Sequence, residues 1–170
     1  RLTFLGSGGQ VLWQAGLHGP VSDIAALPQL ALAATLDGDI EAFGLAGGRA
    51  WRYEAGAPLT ALGTVAEEAA DARILAAAQD GRLLALDSSG RLHWQQSLDS
   101  DGGGSPVLHV ASPVAGAAPA ILIGSGGGGP LLALLSSGGE VLWRLAVPSP
   151  VGAIAAADMD GDGKREILAG

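Results

Sequence analysis

Four tryptophans close near-copies of one phrase, and this repetition constrains the fold more than any other feature of the chain. The phrases are "GSGGQVLW" (6–13), "DSSGRLHW" (87–94) and "LSSGGEVLW" (135–143), with a weaker copy, "GLAGGRAW" (44–51). Trp13, Trp51, Trp94 and Trp143 therefore follow one another at spacings of 38, 43 and 49 residues. That interval brackets the length of a four-stranded propeller blade.

Three further pieces recur, upstream of each phrase where the chain allows. Immediately before it come "RLTFLG" (1–6), "DIEAFG" (39–44), "RLLALD" (82–87) and "PLLALL" (130–135). Earlier still come the apolar runs "LALAAT" (30–35), "RILAAA" (73–78), "AILIGS" (120–125) and "EILAG" (166–170). The fourth piece is "VSDIAAL" (21–27), "LTALGTV" (59–65), "VLHVAS" (107–112) or "VGAIAAA" (151–157). Each unit reads as four short strands, a to d, joined by Gly-, Asp- and Ser-rich hairpin turns. The b strands lack alternation, as strands covered on both faces should. A Trp at a fixed place on strand d reads as a wedge between adjacent sheets. The segment "AEEAADA" (66–72) reads as an extended a–b loop.

The predicted fold is thus all-β, a propeller of four-stranded antiparallel blades. Residues 1–17 supply strands c and d of a closing blade, residues 18–56, 57–99 and 100–150 three blades, and residues 151–170 strands a and b. Three arrangements satisfy this order: a four-bladed ring, half of an eight-bladed ring built by two chains, or part of a longer propeller. Position 1 is not Met and no signal-like region follows, so a mature or trimmed piece is expected.

The phrase "LLALDSSGRLHW" resembles the PQQ-like, quinoprotein-type propeller repeat, whose pattern runs "ALDxxGxxxW". The resemblance covers essentially the whole chain. The quinoprotein dehydrogenases of that class hold their quinone with adjacent cysteines, a catalytic acid and an axial calcium. This chain has no Cys, so the resemblance implies a non-catalytic propeller that serves as a scaffold and binding surface.

The one motif with strong chemistry is "DMDGDGKREILAG" (158–170). Asp158, Asp160, Asp162 and Glu166 occupy loop positions 1, 3, 5 and 9, with Gly163 at 6 and Lys164 at 7. Calcium takes six to eight oxygens, and alternate side chains on a tight loop converge on one centre. Gly163 permits the bend and Lys164 offers its backbone carbonyl. Position 12 is Ala169 and the flanks are strands, so the loop is no EF-hand. It resembles instead the "DxDxDGxxD/E" calcium loops of FG-GAP propeller repeats, which implies Glu166 as the closing acid. Like charges ~4 Å apart repel by about 1 kcal/mol in water and roughly 4 at an effective dielectric of 20, so a cation is favoured. The Ca2+ expected here has a structural role; an ordinary solvated turn with Lys164 and Arg165 as counter-charges is the alternative.

Other candidates are weaker. "GSGGGG" (124–129) satisfies G-x-G-x-x-G but leads into a strand, so no helix terminus awaits a phosphate. Ser7 is not at a strand-to-helix elbow. His18, His93 and His109 fall in different units, and Asp23, Asp37, Asp39, Asp80 and Asp87 read as turn or strand-edge residues. A net charge of −8 argues against nucleic acid, and glycines and polar residues interrupt every apolar run long enough to insert in a membrane. The expected function is non-catalytic: a calcium-stabilised module binding protein or carbohydrate, working in an extracellular, cell-surface or periplasmic setting. Alternatives are part of a propeller enzyme, polysaccharide-active or quinoprotein-like, and a homo-oligomer that completes a blade between chains.

Overall fold

A computed structural model describes residues 1–65, 72–98, 107–111, 120–125 and 131–170. The expected a–b loops at 66–71 and 113–119, and the turn residues 126–129, lie outside the described residues. Among the described residues every regular element is a strand, and no helix there is long and apolar enough to cross a membrane.

Among the described residues the strands fall into five antiparallel sheets. A two-stranded sheet pairs β1 (Leu2–Leu5) with β2 (Val11–Ala15). The first four-stranded blade runs β3 (Val21–Leu27), β4 (Leu30–Thr35), β5 (Asp39–Gly44) and β6 (Arg49–Glu54). The second runs β7 (Leu59–Val65), β8 (Arg73–Ala78), β9 (Arg82–Asp87) and β10 (Leu92–Ser97). The third runs β11 (Val107–Ala111), β12 (Ala120–Ser125), β13 (Leu131–Ser136) and β14 (Val141–Ala146). Another two-stranded sheet pairs β15 (Ile154–Ala157) with β16 (Glu166–Ala169).

The recurrent S/A-G-G phrase has a single backbone cause. In each c–d turn a Gly takes positive φ: Gly9 at 80°, Gly47 at 81°, Gly90 at 83° and Gly139 at 87°. Its N–H closes the turn, as Gly90 does on the Asp87 carbonyl at 3.0 Å, and the strand after it is bulged by one residue. A residue with a Cβ is strained in that conformation, which explains why glycine recurs there.

The core lies between blades. Leu32, Ala34, Ile40 and Ala42 of one sheet pack on Leu59, Leu62, Ile74 and Ala76 of the next. The following junction joins Leu75, Leu83 and Ala85 to Ile121, Ile123 and Ala133. The b strands β4, β8 and β12 are buried on both faces, which is why they carry Leu, Ile and Ala without alternation. Small alanines let successive sheets approach closely, and one inner strand contacts the next from β3 to β7 to β11 to β15.

Candidate functional site

The acidic loop joins β15 to β16, and glycines shape it. Gly161 and Gly163 sit at φ 80° and 83°. Those conformations wrap the backbone around Asp158, whose carboxylate accepts N–H bonds from Gly161 at 2.7 Å and Gly163 at 2.9 Å. Glu166, the first residue of β16, reaches back to accept the Met159 N–H at 2.8 Å. Asp158, Asp160 and Glu166 thereby place carboxylate oxygens within 4.8 Å of one another, all exposed. Asp162 is not part of this group. Its carboxylate accepts from the Lys164 backbone N–H at 2.8 Å and from Lys164 Nζ at 3.1 Å. Those two bonds hold its pKa below the usual carboxylate range.

Oxygens lying 2.3–2.6 Å from one calcium ion are separated by at most about 5 Å, so the three carboxylates match the spacing a hard cation requires. Their present partners are backbone N–H groups, which already offset part of the charge concentration that the sequence exposes.

A second group of charges lies inside the first blade, and the sequence reading missed it. Glu41 on β5 is fully buried. It accepts the His18 backbone N–H at 2.8 Å and Arg49 Nη1 at 2.9 Å, and the His18 ring lies 3.3 Å away. Burial pushes its carboxyl upward, but bonds from the His18 backbone, the Arg49 guanidinium and the His18 ring prevail and hold it low. Asp39 stands at the edge of β5, as expected, and is buried there and paired with Arg52 at 3.0 Å. The signal was present: Leu84 and Ala133 hold the β9 and β13 places that Glu41 holds on β5, judged by the ladder registers. An acid at an apolar position of strand c, with Arg and His nearby, is a buried ion pair awaiting recognition.

The histidines belong to different blades. His18 serves Glu41, His93 meets Arg73 at 3.3 Å, and His109 lies on β11. Asp87 caps its own turn by accepting the Ser89 N–H and hydroxyl and the Arg91 N–H. Asp23 spans blades instead, accepting the Leu62 N–H at 2.8 Å.

The tryptophans form the most regular contact in the molecule. Trp13 Nε1 donates to the Leu45 carbonyl at 2.9 Å, Trp51 to Ser88 at 3.0 Å and Trp94 to Ser137 at 3.1 Å. Each acceptor lies in the c–d turn of the following blade. Each indole also covers that turn's glycine: Trp13 over Gly47, Trp51 over Gly90 and Trp94 over Gly139. The faces of these rings are therefore used between blades.

A family model described as outer membrane protein assembly factor BamB matches residues 1–159. No curated protein matches the chain in sequence. Among solved structures, BBS1N in complex with ARL6DN is similar at a TM-score of 0.72 with 12% identity, over 97% of this chain and 52% of that one. The computationally designed Ika8 protein gives 0.72 with 16% identity, over 96% and 50%. The designed Ika4 protein gives 0.69 with 16% identity, over 95% and 98%. The chain thus spans about half the length of BBS1N and Ika8, and nearly all of Ika4. At these identities the structural likeness establishes the propeller fold.

Proposed function

The chain belongs to the family of the outer membrane protein assembly factor BamB, and on that premise we propose that it is a non-catalytic propeller scaffold that binds protein outside the cytoplasm. The observation that carries this reading is the family match over residues 1–159. Two features support a protein ligand over a carbohydrate. Sugars are recognised largely by open aromatic faces, and Trp13, Trp51 and Trp94 spend theirs on neighbouring blades. The outer strands instead expose aliphatic side chains, including Leu12, Leu92, Leu142 and Leu145. Apolar residues projecting from outer strands suit an extended, partly apolar peptide.

The acidic loop is the proposed calcium site. Asp158, Asp160 and Glu166 would hold the ion through carboxylate oxygens and Lys164 through its backbone carbonyl. Asp162 would join by turning away from the Lys164 ammonium. A bound calcium would supply positive charge that ties β15 to β16, a structural task with no chemical step attached.

The test is a comparative titration of the 170-residue chain with a labelled amphipathic β-hairpin peptide and with a mixture of oligosaccharides. The proposal predicts saturable peptide binding that the pair Leu142→Asp and Leu145→Asp weakens. Saturable oligosaccharide binding without peptide binding would replace it with the carbohydrate reading, and binding of neither would refute both.

A further inference from the structure

His18, Glu41 and Arg49 meet in a contact that the second blade does without. By the strand ladders, Leu84 and Leu92 hold there the places of Glu41 and Arg49, and Gly56 holds the place of His18. A blade therefore forms without these three groups, although a fully buried carboxylate costs stability unless it is paired.

Three atoms stand in one triangle. His18 Nδ1 lies 3.0 Å from Arg49 Nη1 and 3.3 Å from Glu41 Oε2, and Arg49 Nη1 lies 2.9 Å from that same oxygen. A guanidinium only donates and a carboxylate only accepts. To bond Arg49, Nδ1 must offer its lone pair, which leaves the proton of a neutral imidazole on Nε2. To bond Glu41, Nδ1 must carry a proton. The nitrogen serves one partner or the other, never both. The backbone is held in either case, because the His18 N–H donates to Glu41 Oε1 at 2.8 Å.

We propose that His18 is a proton-operated switch between these partners. While the ring is neutral, Nδ1 accepts from Arg49. On acidification a proton from solvent binds Nδ1, the ring donates to Glu41, and the guanidinium is released. The His18 and Arg49 side chains are each 43% exposed, so solvent reaches the ring and the guanidinium has water to move into. Once the ring is protonated, imidazolium and guanidinium are like charges in contact over a single carboxylate, and they repel. Asp37, in the turn between β4 and β5, lies against Gly19 beside the ring and favours the imidazolium. Arg52 also feels the Glu41 charge, but it is already engaged by Asp39 at 3.0 Å and Glu54 at 3.3 Å and stays in place. Acid thus adds a second bond between the β2–β3 linker and the first blade, and frees a cation on the outer strand β6.

The test is NMR of the chain, isotope-labelled at its arginine and histidine nitrogens, followed between about pH 8 and 5, where histidine changes charge. The expected result is one shared transition. As the His18 ring passes from the Nε2–H form to imidazolium, the Arg49 side-chain resonances shift at the same midpoint, and their N–H groups lose their slowed exchange with water. His93, which meets Arg73 at 3.3 Å, is the internal control and should titrate without moving Arg49. His18→Gln keeps the backbone bond to Glu41 and removes the titrating ring. It should abolish the Arg49 transition and leave that of His93, with circular dichroism checking that the variant folds. Arg49 resonances that stay fixed across that range would overturn the proposal, as would an Arg49 transition that survives in His18→Gln.

Discussion

Trp94 donates its indole N–H to the Ser137 carbonyl at 3.1 Å while its ring lies over Gly139, so one side chain locks two blades together. The hydrogen bond needs a carbonyl turned outward, and the ring needs a neighbour without a Cβ. Both requirements are met by a tight turn with glycine at positive φ. The Trp and the Ser/Gly turn are therefore halves of one device, held on successive blades. This explains why they recur together in sequence.

Trp94→Phe keeps an aromatic ring but removes the donor, and is expected to cost about 1–2 kcal/mol by leaving a carbonyl without its partner. Trp94→Ala also leaves a void between the second and third blades and is expected to cost about 3–5 kcal/mol. Urea unfolding with the slope compared between variants reads both values. Equal costs for the two would mean that the hydrogen bond carries the junction and the ring does not.

Two glycines separate strain from collision. Gly56 stands at φ 77° in open space, so Gly56→Ala should cost only the left-handed penalty of about 1–2 kcal/mol. At Gly90 a Cβ would lie 2.6 Å from the Trp51 ring. Gly90→Ala should therefore lose a further 1–3 kcal/mol or so from overpacking. Matched thermal melts of the two variants provide the comparison.

The buried ion pair gives the first blade a pH dependence. Glu41 is held below the ordinary carboxylate range in the folded chain, so its contribution is present above its unfolded pKa. It is lost as pH falls through the lower, folded value. Glu41→Gln should reduce stability at neutral pH by about 1–3 kcal/mol and flatten the acid limb of the stability profile. Asp87 and Asp162, also held low, leave part of that limb in place. An acid limb unchanged by the variant would assign the loss to other carboxylates.

Much of this was legible in the sequence because the repeat is physical. The Gly of each turn, the Trp of each d strand and the unbroken apolar b strands each have one structural cause, and that cause repeats. The acidic loop was legible in part. Its spacing brings Asp158, Asp160 and Glu166 together, whereas Asp162 answers the Lys164 ammonium two residues away. The Glu41 cluster was legible only as an acid at an apolar place on strand c; its partners His18 and Arg49 lie 23 and 8 residues distant, and the cluster they make was not. The cross-blade bond from Leu62 to Asp23 was hidden for the same reason.

Calcium at 100 times its dissociation constant should stabilise the fold by about 2.7 kcal/mol. For a chain of this size that raises the melting temperature by roughly 5–10 °C. Asp160→Asn combined with Glu166→Gln should abolish the response, while Asp162→Asn should reduce it less. Identical melts in calcium and in chelator would leave the loop an ordinary acidic turn whose backbone bonds suffice.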